Sequence, residues 1–282
     1  MVNLFRVLAA APLWLAHGCG WVVGWGAFVL SPTYRRRLQE NARLAGVGLA
    51  EWMASVGHAG RMVAELPRLW LGAPVHFEWD NDACAERAYA ARRGVLFLTP
   101  HLGCFEVTAQ ALAVRYGAAH GPLTVLYRPA RQDWLAGVMQ QSRHRPGLET
   151  APTSLAGVRQ MMRALRSGRA VGLLPDQVPP LEMGVWAPFF GRQAYTMTLS
   201  ARLAKQTGAA VVLLWGERLG RGAGFRIHCR ELTQPLHSDI ESATGQINQE
   251  MERLIRECPQ QYLWGYARFK MPHATPRRAV ES

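Results

Sequence analysis

Gly94-Val-Leu-Phe-Leu-Thr-Pro-His-Leu-Gly-Cys-Phe-Glu106 joins an apolar run to a proline, a histidine and, five positions on, a glutamate. Val95 to Thr99 is an apolar, partly β-branched run with a glycine in front and a proline behind. That pattern predicts a buried strand that ends in a loop. Thr99 precedes proline and is biased towards extended backbone. From Cys104 to Val114 the spacing predicts a helix. His101 and Glu106 would lie about 140° apart on one continuous helix, so their side chains would diverge. With His101 in the loop and Glu106 in the first helical turn, they can converge. A helix start also offers free backbone N–H groups and a partial positive charge. The arrangement suits a general base, His101, with Glu106 as the carboxylate that fixes its tautomer. Nearby N–H groups would hold an oxyanion. The plainer alternative is a core histidine beside an ordinary helix-start glutamate.

Outward from this stretch the pattern alternates. Apolar runs at 95–99, 123–127, 170–174 and 210–215 are separated by helical stretches near 104–116, 131–142, 154–167 and 196–207. A more amphipathic run follows at 224–231, and a long helical stretch at about 239–257 ends before Pro259. Strands alternating with helices predict an α/β fold with a mostly parallel central sheet flanked by helices. Ligands of such sheets gather at the carboxyl ends of strands. His101, Arg128 and Asp176 each follow such an end.

Arg128, held by Pro129, is placed to clamp a phosphate or to steady the reacting centre. Asp176 and Gln177 sit between Pro175 and the Pro179-Pro180 pair. They either bind acceptor hydroxyls or brace His101, and ordinary turn chemistry explains them as well. Leu181 to Ala194 reads as a loop with an aromatic cluster, and Thr196 as the N-cap of the next helix.

Val7 to Leu30 carries no formal charge. It is long enough to cross a hydrocarbon core of about 30 Å as a helix, and its tryptophans equally suit a helix lying in the interface. Arg35, Arg36 and Arg37 follow, which by the positive-inside tendency puts the rest of the chain in the cytoplasm. Residues 1–33 are thus read as a transmembrane or interfacial helix. Residues 34–270 form the catalytic domain, with membrane-proximal helices over 34–75 interrupted at Pro67, and 271–282 a disordered tail.

The chain has 282 residues, 49% hydrophobic and 18% charged, and a net charge of +12. No zinc-finger spacing, RNP-like motif or basic heptad accompanies that charge, so nucleic acid is not expected as a partner. Anionic phospholipid, a phosphorylated acceptor or an acidic carrier protein accounts for it. Five widely spaced cysteines without a CxxC pair argue against a disulfide framework or structural zinc. Cys104, between His101 and Glu106, reads as a buried small side chain rather than a nucleophile. There is no HExxH pattern, and no metal is expected.

His101-Leu-Gly-Cys-Phe-Glu106 resembles the HxxxxD/E signature of glycerolipid-type acyltransferases. Leu126-Tyr-Arg-Pro129, Leu174-Pro-Asp-Gln177, Pro188-Phe-Phe-Gly191, Gln261-Tyr-Leu-Trp264 and Arg268-Phe-Lys270 narrow the resemblance to the lipid A late acyltransferase family of Gram-negative bacteria. These blocks stand in the family's order across roughly residues 94–270. Pro100 before the histidine is a small departure from the family's commoner form. The resemblance implies an inner-membrane enzyme that uses acyl-[acyl-carrier-protein] as donor and a phosphorylated glycolipid, a lipid A precursor, as acceptor. It further implies a His101–Glu106 dyad, no cofactor and no acyl-enzyme. Two alternatives stay open: transfer to another glycolipid or a lysophospholipid, and a non-catalytic, membrane-anchored protein that binds lipid or carrier.

Overall fold

The computed structural model of the chain describes residues 2–127, 137 and 145–273. Arg128, the helix expected near 131–142 and most of the C-terminal tail lie outside the described residues.

The predicted strand is β2, Val95–Leu98, buried at every position. It pairs in parallel with β5 (Ala170–Leu173) on one side and β8 (Ala210–Arg218) on the other. Beyond β5 follow β3 (Leu123–Tyr127) and β4 (Leu148–Pro152), also parallel. Beyond β8 come β9 (Phe225–Glu231), antiparallel to it, and the edge strand β1 (Phe77–Asn81). The sheet order is β1-β9-β8-β2-β5-β3-β4, so the α/β class and the mostly parallel sheet hold.

Alternation along β2 divides the core. Val95 and Phe97 face α6 (Ala83–Ala90) and α7 (Phe105–His120). Leu96 and Leu98 face α8 (Leu155–Arg166), α9 (Leu199–Thr207) and α10 (Ile240–Glu257). Helices therefore cover both faces, which is why β2 reads as an unbroken apolar run.

The stretch expected as a loop at 181–194 is instead a hairpin, β6 (Gly184–Phe189) and β7 (Arg192–Met197). Its turn places Phe190 and Gly191 both at positive φ. A two-residue turn of this kind normally carries Asn-Gly or Asp-Gly. A phenylalanine in the first position hides the signal. Thr196 is correspondingly not a helix cap: it is a buried β7 residue, and Thr198 stands at the cap position of α9.

The N-terminal apolar stretch breaks at Pro12 into α1 (Val2–Ala10) and α2 (Leu13–Leu30). Three helices follow: α3 (Pro32–Leu44), α4 (Leu49–Ala64) and α5 (Leu66–Leu71). The interruption expected at Pro67 is the start of α5, with the proline in its first turn. One helix among the described residues, α2, is long and apolar enough to cross a membrane. It packs along α4, and glycines permit the approach. A methyl group on Gly24 would overlap the Val56 carbonyl, and one on Gly57 would overlap the Trp21 ring.

Candidate active site

β2 and β5 are parallel neighbours, and Leu98 lies opposite Leu173. His101 stands three residues after the first and Asp176 three after the second. Strand register alone therefore brings the two side by side. The Asp176 Oδ1 accepts from His101 Nδ1 at 2.7 Å, and its Oδ2 accepts from the His101 backbone N–H at 2.8 Å. Tyr262 O–H donates to the same Oδ2 at 3.3 Å. Asp176 is buried, while the His101 side chain keeps 15% of its surface exposed.

Burial alone would raise the Asp176 pKa. The His101 charge, the hydrogen bonds from its ring and backbone, and the Arg268 charge outweigh it and hold the carboxyl below its usual value. Burial, reinforced by Asp176, pushes Tyr262 well up, so its phenol stays a donor. A carboxylate at Nδ1 places the ring proton there and leaves the lone pair on Nε2. The Gln177 amide nitrogen lies 2.9 Å from Nε2 and donates to that lone pair. The Phe105 ring packs 4.9 Å from the imidazole.

The loop carrying His101 is tied down on all sides. Leu263 N–H donates to the His101 carbonyl at 3.2 Å, Gly103 N–H to Gln261 O at 2.9 Å, and Cys104 N–H to Gly216 O at 2.8 Å. Gly103 has φ +58°, and a Cβ there would overlap the Gly216 carbonyl, so the position requires glycine. Arg218 Nη2 donates to Gly103 O at 3.1 Å. Arg218 is itself buried and paired with Glu65, its Nε 2.7 Å from Oε2 and its Nη2 2.6 Å from Oε1. His17 of α2 contacts the same carboxylate at 2.9 Å.

Glu106 is the second residue of α7. Trp70 Nε1–H donates to its Oε2 at 3.2 Å, and the Arg145 guanidinium lies within electrostatic reach. The orienting place at Nδ1, which the sequence reading gave to Glu106, is occupied by Asp176. Cys104 is buried, and burial together with the Glu65 charge raises its thiol well above the ordinary value, which disfavours a thiolate. Among the described residues no cluster of three or more His, Cys, Asp or Glu is placed to hold a metal. An open cavity of about 420 Å³ is lined by Gln39, Arg43, Gly46, Val47 and Trp52, at the α3–α4 turn rather than at His101.

The sequence reading missed Tyr262, Arg218 and Glu65 as parts of this assembly. Tyr262 lies in a quoted block, Gln261-Tyr-Leu-Trp264, so a signal existed. Glu65 and Arg218 are 153 residues apart, and no local pattern connects them.

The fold and the site define an α/β protein with a histidine at the end of β2 held by a carboxylate at the end of the neighbouring β5, which leaves an imidazole nitrogen able to accept a proton. The sequence profile of the bacterial lipid A biosynthesis acyltransferases matches residues 52–271. The chain is 29% identical over 251 residues to a lipid A biosynthesis lauroyltransferase of Escherichia coli K12, covering 86% of this chain and 75% of the relative. It is 26% identical over 236 residues to the lipid A biosynthesis palmitoleoyltransferase of the same organism, covering 83% and 72%. A lipid A biosynthesis acyltransferase of Haemophilus influenzae is 24% identical over 182 residues, covering 64% and 54%. The chain belongs to the bacterial lipid A biosynthesis acyltransferase family, and it is an acyltransferase.

Proposed function

We propose that the chain moves a fatty acyl group from an acyl-carrier thioester to a hydroxyl of a phosphorylated lipid A precursor, with His101 as general base. The observation that carries this reading is the Asp176 carboxylate 2.7 Å from His101 Nδ1, which leaves Nε2 as the proton acceptor. The acceptor hydroxyl takes the place of the Gln177 amide at Nε2. Its proton passes to Nε2 as its oxygen bonds to the thioester carbonyl carbon. The tetrahedral oxyanion then collapses, the C–S bond breaks, and the departing thiolate takes the proton from the imidazolium. The products are an ester and a free carrier thiol, with no acyl-enzyme. N–H groups at the α7 start are suited to the oxyanion.

Asp176 stabilises the imidazolium directly. Glu106, in the first turn of α7 and bonded by Trp70, is assigned a supporting role at this end of the site. Arg128 has the chemistry to hold a phosphate of the acceptor or carrier. The net charge of +12 suits an acidic carrier, a phosphorylated acceptor and an anionic membrane together. The catalytic domain is assigned to the cytoplasmic face of the inner membrane, whose anionic leaflet attracts the Arg35, Arg36 and Arg37 cluster beside α2.

Mass spectrometry of membrane lipids tests this in a Gram-negative host lacking its own late acyltransferases. Expression of the chain is expected to produce a lipid A heavier by one acyl group, and His101→Ala to abolish it. An unchanged lipid A beside a newly acylated lipid of another class would move the acceptor. No change in any lipid would refute the reading.

A further inference from the structure

The outward face of α2 is wholly apolar. Trp14, Val22, Val23, Val29 and Leu30 are each more than 60% exposed, and Leu13–Leu30 contains no charged residue. The lone titratable group with a strong polar demand, His17, turns inward to Glu65. Eighteen residues of helix measure about 27 Å, close to a hydrocarbon core of about 30 Å, so length alone permits a crossing.

The inward face does not permit it. α4 runs antiparallel along α2 for most of its length. His17 meets Glu65, Gly20 abuts Gly60 and Arg61, Gly24 abuts Val56, and the Phe28 ring lies 6.1 Å from Trp52. α4 is not a lipid-compatible companion, because it carries Glu51, His58 and Arg61. Arg61 donates to the His17 carbonyl at 3.3 Å and stacks 4.7 Å over Trp21. At the other side, the Gly222 loop after β8 packs on Trp14. A bilayer wrapped around α2 would have to take up α4, its charges and an edge of the sheet.

Cations also stand at both ends of the helix. Arg6 is exposed before it, and Arg36 and Arg37 after it. Arg35 Nη1 caps its C-terminus by donating to Phe28 O and Val29 O, each at 3.1 Å. A crossing helix favours arginine at its cytoplasmic end, whereas a helix lying at the headgroup level meets anionic phosphates at both ends.

We propose that α2 does not cross the membrane but lies in the plane of a single leaflet of an anionic phospholipid bilayer, with its outward face among the acyl chains and its inward face on α4 and the β8–β9 edge of the sheet. This rests on the membrane seating given under the proposed function and goes beyond it. The site at His101 is then held at a fixed height over the leaflet surface, because α2 is joined through Glu65 and Arg218 to the carbonyl of Gly103.

Cys19 is exposed on α2, and the other four cysteines are buried. This makes depth measurement by spin labelling direct. The full chain, reconstituted in vesicles of phosphatidylethanolamine and phosphatidylglycerol, carries a label at Cys19, or, in a Cys19→Ser background, at Trp14→Cys, Val22→Cys or Leu30→Cys. Collision accessibilities are expected to put all four labels within one leaflet, between its headgroups and about 10 Å below the phosphates, with none at the bilayer centre. A label at 22 near the bilayer centre, with 14 emerging in the opposite aqueous compartment, would overturn the proposal. Four water-accessible labels on protein that fails to sediment with vesicles would refute the membrane seating itself.

Discussion

His101 and Asp176 meet twice: the carboxylate takes the imidazole Nδ1–H through Oδ1 at 2.7 Å and the His101 backbone N–H through Oδ2 at 2.8 Å. One side chain thus sets both the rotation of the ring and the position of the loop that bears it. A carboxamide keeps neither function intact. Its NH2 group would face an N–H donor, or its single oxygen would serve one contact of the two. Asp176→Asn is expected to lower kcat by roughly 10²–10⁴-fold at nearly unchanged thermal stability. Glu106→Gln, which leaves Nδ1–H on Asp176, is expected to lower it by clearly less. Steady-state kinetics on the two variants side by side would decide which carboxylate orients the base.

Gln177 donates to the lone pair that the acceptor hydroxyl must use. Gln177→Ala removes one neutral hydrogen-bonding group, worth about 1 kcal/mol. Because that bond competes with the acceptor for Nε2 in the proposed mechanism, a change of roughly tenfold or less in kcat/KM is expected, as a lower acceptor KM at nearly unchanged kcat. A loss as deep as that of His101→Ala would mean that the amide stabilises the transition state itself.

The sheet was legible in the sequence where strands were apolar throughout. Val95–Leu98, Ala170–Leu173 and Ala210–Arg218 are the central strands, and burial on both faces writes itself as largely unbroken apolar runs. The edge strands were not legible. Phe77-Glu-Trp-Asp-Asn81 and Leu148-Glu-Thr-Ala-Pro152 are half solvated and read as ordinary polar stretches. His101 and Asp176 were both legible as residues at strand ends, but their pairing was not. It depends on β2 and β5 being neighbours in register, a fact of topology that no local spacing carries. The same holds for Tyr262 on Asp176 and for Arg218 on Glu65.

The Glu65–Arg218 pair has an effect on both stability and rate. Both side chains are 1% exposed. Glu65→Ala leaves a guanidinium buried without its counter-ion and is expected to cost about 3–5 kcal/mol in chemical denaturation. Replacing both partners, Glu65→Leu with Arg218→Met, is expected to recover most of that loss. The rate should not recover with it, because the Arg218 hydrogen bond to Gly103 O in the catalytic loop is gone. Equal recovery of stability and rate would show that the pair only holds the fold.

Acid should weaken the fold in a defined window. Burial, then the charges of Arg218 and Arg61, lower the His58 pKa to about 3. The unfolded chain therefore takes up a proton on this imidazole from about pH 6.5 downward while the folded chain does not. Stability falls as pH drops through that range. Burial by itself would raise Glu65, but the Arg218 charge and the hydrogen bonds from Arg218 and His17 outweigh it and hold the carboxyl at about 2. Its contribution, complete above the ordinary carboxylate range, is lost as pH falls from about 4.5 towards 2. His58→Phe is expected to flatten the dependence between pH 6.5 and 4.5 and to leave the steeper loss below it. Urea midpoints across pH 3.5–7 would show whether it does.

In the proposed mechanism, Nε2 of His101 receives the hydroxyl proton during direct transfer from thioester to acceptor. Single-turnover transfer of a labelled acyl group from an acyl-carrier thioester to a lipid A precursor tests it most directly, with the wild-type chain and His101→Gln compared at matched folding. The rate is expected to be at least about 10²-fold lower in the variant, with no label on the protein in either case. A variant rate within a few-fold of wild type, or label trapped on the wild-type chain as an acyl-enzyme, would contradict the mechanism.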